Sequence, residues 1–152
     1  MVRCYDWEKN SLYVKDTYGN IFDIRLRGNK TIIRGNSGTG KSLLYSTLKY
    51  IKSSRNSEKF NRYDVDNIVL ADEENIKDIG EYENKLIIVD RGDMVVTQEA
   101  TKVINSDFGR NRYLIFARKS LGIELSPNYY ATIVNHNKVF CLEYAFSIKG
   151  WF

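Results

Sequence analysis

The sequence predicts an α/β fold, a three-layer sandwich whose mostly parallel central sheet also carries antiparallel strands from hairpins near both ends. Two observations predict it. Short apolar strands alternate with amphipathic helices through the middle of the 152-residue chain, which favours right-handed crossovers between parallel strands. Near each end, two segments flank a turn, as in a hairpin. The length corresponds to a single domain over residues 1–152.

Periodicity places the individual elements. The predicted strands are apolar or alternating segments, and they cover residues 11–15, 21–26, 31–34, 67–71, 85–90, 112–117, 129–134 and 139–146. Two helices are predicted over residues 41–53 and 97–106, and Leu44, Leu48 and Ile51 form the apolar face of the first. The polar segment 53–66 is predicted to be loop or frayed helix.

Charge and composition exclude several classes of protein. The 23 Lys and Arg against 19 Asp and Glu give a net charge of +4, and the basic residues are scattered, so charge gives only weak support for nucleic acid as a partner. Cys4, Cys141 and the single His136 are too few for a disulfide framework or a four-ligand zinc site.

No apolar run approaches the roughly 20 residues that a membrane-spanning helix needs, and the first ten residues contain no apolar signal segment. We therefore expect a cytoplasmic protein with no membrane span.

One segment carries recognisable chemistry. Residues 35–42 match the pattern G-x-x-x-x-G-K-[ST], between a predicted strand and a predicted helix. In this pattern the backbone N–H groups surround phosphate oxygens, the lysine reaches the β- and γ-phosphates, and the hydroxyl binds Mg²⁺. The predicted nucleotide-binding residues are Gly35, Asn36, Ser37, Gly38, Thr39, Gly40, Lys41 and Ser42, with Lys41 also acting in catalysis and Ser42 as a metal ligand.

A second carboxylate complements this loop. The strand over residues 85–90 is a continuous apolar run that ends in Asp90. A carboxylate at the end of a neighbouring strand holds Mg²⁺ in phosphoryl-transfer sites of this type, so Asp90 is the second predicted metal ligand.

The two segments GNSGTGKS and LIIVD resemble the Walker A and Walker B motifs of the P-loop nucleoside triphosphatases, and the loop looks most like the ABC-type and AAA-type ATPase branch. This resemblance implies ATP and Mg²⁺ as cofactors and ATP hydrolysis as the activity. Two departures accompany it. Arg91 stands where many of these ATPases have a catalytic glutamate, and no LSGGQ-like signature is present. The GTPase motif N-K-x-D is absent, which disfavours GTP.

The general base is the least determined part of the prediction. In RecA-like ATPases the catalytic glutamate ends a different strand, and Glu73 and Glu74 follow the strand over residues 67–71. These two are the predicted catalytic carboxylates, with Asp93 as a further candidate and a solvated acidic loop as the plain alternative.

Other roles follow from the resemblance and remain open. Candidates for sensing the γ-phosphate are Arg118 and Ser120, and candidates for an arginine supplied to a neighbouring copy are Arg91, Arg110 and Arg112. Candidates for stacking on the base are Tyr13, Tyr5 and Tyr18.

The function predicted from the sequence is a small Mg·ATP-binding ATPase or ATP-dependent switch. The alternatives are a small-molecule or nucleotide kinase and a non-hydrolysing nucleotide-binding interaction module. The small domain and the apolar residues Trp151 and Phe152 favour a homo-oligomer or a protein partner.

Overall fold

The computed structural model describes residues 2–35, 40–53, 63–119 and 121–144. The strands within these ranges are β1 (Val2–Arg3), β2 (Tyr5–Asp6), β3 (Ser11–Lys15), β4 (Ile21–Arg25), β5 (Lys30–Ile33), β6 (Tyr63–Asp64), β7 (Ile68–Ala71), β8 (Leu86–Val89), β9 (Arg112–Phe116), β10 (Tyr130–His136) and β11 (Val139–Tyr144). The helices are α1 (Lys41–Ser53), α2 (Gly92–Val95), α3 (Gln98–Asn105) and the 3₁₀ helices Ile76–Glu81 and Pro127–Tyr129.

Nine strands form one mixed sheet in the order β2-β3-β4-β11-β10-β5-β9-β8-β7. The strands β5, β9, β8 and β7 run parallel to one another, whereas the pairs β3–β4 and β10–β11 are antiparallel hairpins. The parallel pairs β11–β4 and β10–β5 join the two hairpins to each other and to the parallel strands.

The two edges of this sheet meet, so that it forms a nearly closed, barrel-like structure. Asn67, just before β7, donates its amide N–H to the carbonyl oxygen of Tyr5 in β2 at 2.8 Å. The Arg112 guanidinium at the start of β9 donates to the Tyr5 hydroxyl, also at 2.8 Å. The short parallel pair β1–β6 lies beside this seam, where the Cys4 N–H donates to the Asp64 carbonyl oxygen.

Helix α1 packs on the concave side of the sheet. Its buried residues Leu44, Leu48 and Ile51 share one core cluster with residues from both hairpins and from the parallel strands. On the convex side, α3 and the first 3₁₀ helix form a second cluster with the parallel strands, in which Ala100 and Ile104 join Ile87 and Ile115.

The predicted three-layer sandwich is therefore wrong. Helical segments make up only 26% of the described residues, and the sheet is mixed and curled rather than flat and flanked by two helical layers. The physical reason is the alternation in the hairpin strands. Val14 and Phe22 point into the core, while Tyr13, Lys15 and Arg25 on the opposite face are exposed, so that face buries no helix.

Most individual elements agree with the sequence prediction. The helix α1 has the predicted bounds, the parallel strands lie within one or two residues of theirs, and both hairpins are present. The strands β1, β2 and β6 were not predicted, and β6 falls in the segment expected to be loop. Residues 145 and 146 of the predicted last strand lie outside the described residues. No helix in the described ranges is long and apolar enough to cross a bilayer.

The outer edge of β7 is bonded by side chains of the same chain. Lys52 of α1 donates to the Ile68 carbonyl oxygen at 2.6 Å, and Asn75 donates to the Leu70 carbonyl oxygen at 3.0 Å. The Ile68 N–H donates in turn to the Val65 carbonyl oxygen. These backbone groups are therefore paired although β7 ends the sheet.

Candidate functional site

The carboxyl ends of the parallel strands lie side by side at one end of the sheet. Ile33 of β5 pairs with Phe116 of β9, and Val89 of β8 pairs with both Ile115 of β9 and Ala71 of β7. Because these end residues are in register, the residues that follow each strand emerge at the same end of the sheet. In α/β proteins with parallel strands, whether the sheet is open or closed, ligands bind beyond the carboxyl ends of the strands.

A cleft of about 340 Å³ opens at the carboxyl ends of these strands. Lys41 and Ser42 from the start of α1 line it, together with Asp90 after β8 and Arg118 after β9. The structure thus brings together Lys41, Ser42 and Asp90, three of the five described residues that the sequence predicted for the triphosphate and the metal, although Asp90 is far from the other two in the chain. The other two, Gly35 and Gly40, do not line the cleft.

Lys41 is influenced by both a positive and two negative side chains in this cleft. Its ammonium donates a hydrogen bond to the carbonyl oxygen of Gly35, at the other end of the predicted phosphate-binding segment. Burial lowers the pKa of the Lys41 amine, and the positive charge of Arg118 lowers it further, while Asp90 and Asp93 act in the opposite direction. An anionic ligand would relieve the repulsion between the two cations.

Asp90 is held by the turn that follows it. Its Oδ1 accepts the N–H of Arg91 at 3.0 Å, and Arg91 adopts the left-handed conformation, with φ 51° and ψ 53°. A residue other than glycine rarely adopts this conformation, and it costs energy. Arg91 is exposed and lines the cleft, in the position where the resemblance leads one to expect a glutamate.

Asp93 lines the cleft, but its carboxylate oxygens are bonded to the backbone. Oδ2 accepts the N–H of Arg118 and Oδ1 accepts the N–H of Lys119, each at 3.2 Å. Both oxygens are therefore engaged in holding the loop after β9, which is a different role from that of the base considered in the sequence analysis.

Glu73 and Glu74 follow β7, which neighbours β8 as their proposed role requires. Both side chains are exposed, and neither is among the described residues that line the cleft. The loop that carries them is fixed by Asp72, whose Oδ1 accepts the N–H groups of Glu74 and Asn75. Their catalytic role stays a prediction.

Tyr45 does not line the cleft, but it lies near enough to Asp90 for that charge to act on it, and the sequence analysis did not single it out. It lies one turn after Lys41, and its hydroxyl donates to the Ala71 carbonyl oxygen at 3.1 Å. Burial and the charges of Asp72 and Asp90 raise the pKa of this phenol. Tyr45 thereby joins the start of α1 to the end of β7. The only signal in the sequence is its spacing of four residues from Lys41, which places both on one helix face.

The other arginine candidates lie elsewhere. Arg112 begins β9, at the end opposite to the cleft, where its guanidinium lies 3.8 Å from the centre of the Trp7 ring. Arg110 forms a salt bridge with Glu83 at 3.4 Å. Neither residue is near the predicted phosphate position of its own chain.

The tyrosine candidates differ in their surroundings. Tyr5 is fully buried and its hydroxyl donates to Asn10, and Tyr13 lies on the exposed face of the hairpin. Tyr18 is exposed in the β3–β4 turn and lines a groove with Leu43 and Thr47 of α1. Tyr18 is therefore the candidate that lies beside the helix that carries Lys41.

Several predicted residues cannot be placed. Asn36, Ser37, Gly38 and Thr39 of the phosphate-binding segment, the sensor candidate Ser120, and the terminal Trp151 and Phe152 lie outside the described residues.

The cleft offers oxygen ligands suited to Mg²⁺, the Ser42 hydroxyl and the Asp90 carboxylate. Mg²⁺ is commonly bound by one or two protein oxygens together with phosphate oxygens and waters, so these two residues fit a metal that arrives with a nucleotide. In the part of the chain that is described, no group of three or more His, Cys, Asp or Glu is placed to hold a metal by itself.

Comparison of the chain with protein-family models, with curated proteins and with solved structures gave no match.

Proposed function

We propose that this protein binds Mg·ATP in the cleft at the carboxyl ends of β5, β8 and β9. The observation that carries the proposal is the meeting of Lys41, Ser42 and Asp90 in one cleft. Each has the chemistry that the sequence motifs require of it, and the fold brings together segments that are distant in the chain.

Electrostatics support an anionic ligand. Lys41 and Arg118 place two cations at the cleft, and α1 begins there with the positive end of its dipole. In the bound state Lys41 would exchange its bond with the Gly35 carbonyl for a phosphate oxygen. Ser42 and Asp90 would hold Mg²⁺, which supplies charge neutralisation on the phosphates.

Binding is supported more directly than hydrolysis. Arg91 has no carboxylate, both oxygens of Asp93 accept backbone N–H groups, and Glu73 and Glu74 are exposed on the next loop. Three alternatives therefore have to be distinguished by experiment: ATP hydrolysis, transfer of the phosphoryl group to an acceptor, and stable binding without turnover.

The test is calorimetric titration of Mg·ATP and Mg·GTP into the wild type, Lys41→Ala and Lys49→Ala. Lys49 is exposed on the same helix two turns later and does not line the cleft, so its substitution removes the same charge from the same element. We expect ATP to bind more tightly than GTP, Lys41→Ala to lose at least about tenfold in affinity, and Lys49→Ala to bind as the wild type does.

Phosphate release from the same samples, with and without an added acceptor, then identifies the reaction. Failure of the wild type to bind either nucleotide, or equal binding by Lys41→Ala and the wild type, would overturn the proposal.

A further inference from the structure

Asp93 joins the turn after β8 to the loop after β9. Its two carboxylate oxygens accept the consecutive N–H groups of Arg118 and Lys119, each at 3.2 Å. Bonds to an ionised acceptor are stronger than bonds between neutral groups. One side chain thus fixes the direction in which the chain leaves β9.

The turn that carries Asp93 is itself fixed. A Cβ atom on Gly92 would lie 3.0 Å from both Ile115 Cγ2 and Leu121 Cδ1, so the turn packs closely against β9 and the segment after it. Arg91 before it is held in the left-handed conformation. Asp93 therefore starts from a backbone position that the surrounding structure determines.

The residue that Asp93 fixes lines the cleft. Arg118 is exposed, and it lies near enough to Lys41 for its charge to act on that amine. Two cations at one cleft repel each other, so without a constraint a long, exposed arginine side chain would turn towards solvent. Fixing the Arg118 backbone limits the directions that its side chain can take.

We propose that Asp93 is a positioning residue, which holds the backbone of Arg118 so that its guanidinium binds the same phosphate group as Lys41. Both Asp93 oxygens are bonded to the backbone, so Asp93 acts on the nucleotide through Arg118, in addition to the effect of its charge on the Lys41 amine. The inference rests on the proposed function, because the ligand is the nucleotide bound in that cleft.

A double-mutant cycle tests whether Asp93 acts through Arg118. Mg·ATP affinity is measured for the wild type, Asp93→Ala, Arg118→Ala and the double variant. We expect each single substitution to lower the affinity by about tenfold, and the double variant to bind no more weakly than Arg118→Ala. Glu99→Ala, which removes an exposed carboxylate from the first turn of α3, is the control and should bind as the wild type does.

A second measurement needs no nucleotide. Amide hydrogen exchange at positions 118 and 119 should be faster in Asp93→Ala than in the wild type, because both N–H groups lose their acceptor. Asp93→Asn, which keeps one acceptor oxygen, should restore protection at one of these positions, and exchange in Glu99→Ala should be unchanged.

The outcomes separate this inference from the proposed function. If the wild type binds Mg·ATP and Asp93→Ala binds equally well, or if the two single effects add in the double variant, the positioning role is overturned and nucleotide binding stands. Unchanged exchange at positions 118 and 119 in Asp93→Ala also overturns it. Failure of the wild type to bind Mg·ATP overturns both proposals.

Discussion

Gly40 lies against the ring of Phe140, so closely that a Cβ atom on Gly40 would stand 2.7 Å from Phe140 Cδ1. Phe140 stacks in turn on Phe22, with ring centroids 4.9 Å apart. The start of α1 thus packs on Phe140 of the β10–β11 hairpin, which in turn packs on the β3–β4 hairpin through Phe22. The lysine of the candidate site is placed by strands that belong to distant parts of the chain.

Gly40→Ala should destabilise the protein by about 1–3 kcal/mol. The added methyl group would overlap the Phe140 ring, and Gly40 has a φ of +101°, which an alanine adopts only with strain. The measurement is the free energy of unfolding in denaturant. Gly19→Ala is the control, since Gly19 has a φ of +87° and nothing within 4 Å of the added Cβ atom. An equal loss in the two variants would contradict a packing role for Gly40.

Asp90→Asn should weaken the dependence of ATP affinity on Mg²⁺. An amide binds Mg²⁺ or its waters less strongly than a carboxylate, and loss of such a group typically lowers metal affinity by about 10–100-fold. Titration of ATP with Mg²⁺ and with excess chelator measures the effect. Glu143→Gln, an exposed position on β11, should leave it intact. If Asp90→Asn keeps the full effect of Mg²⁺, Asp90 does not hold the metal.

Glu73→Gln and Glu74→Gln should leave Mg·ATP affinity unchanged, because neither side chain lines the cleft in the described residues. If the wild type hydrolyses ATP with one of these carboxylates as the base, the corresponding variant alone should release phosphate at least about 100-fold more slowly. Steady-state phosphate release with saturating Mg·ATP gives the answer. Normal rates in both variants would exclude both residues as the base.

Burial raises the pKa of the Cys4 thiol to about 12, with a smaller contribution from Asp64. Between pH 9.0, the usual pKa of this thiol, and that value, the unfolded chain releases a proton that the folded chain keeps. Stability contributed by the neutral buried thiol is therefore complete below pH 9.0 and decreases as the pH rises through this range.

Unfolding free energies measured at several alkaline pH values should fall less steeply in Cys4→Ala than in the wild type. Cys141→Ala, which removes a half-buried thiol from β11, is the matched control. The same pH dependence in Cys4→Ala and the wild type would show that the Cys4 thiol does not carry this effect.

The sequence was informative where a short segment contains its own evidence. The spacing of Leu44, Leu48 and Ile51 predicted α1 with the bounds that the structure has, and the apolar run before Asp90 predicted β8. The pairing of Lys41 and Ser42 with Asp90 followed from motif chemistry, and these residues do line one cleft.

The fold class could not be obtained in the same way. It depends on which strands pair across the chain, such as β10 with β5 and β11 with β4, and on the contact of Asn67 with Tyr5 that brings the sheet edges together. The hydrogen bonds of Tyr45 and Asp93 could not be predicted either. Their partners are backbone groups of Ala71, Arg118 and Lys119, and the order of side chains in a sequence does not indicate such bonds.

The pairing of the outer edge of β7 has a consequence for self-association. Exposed strand edges with free backbone groups can template the addition of another chain, which leads to domain swapping or fibrillar aggregation. At this edge Lys52 and Asn75 already bind the Ile68 and Leu70 carbonyl oxygens. A second copy that extended the sheet there would have to displace both side chains, so strand addition at β7 carries a cost that an edge with unbonded carbonyl groups would not.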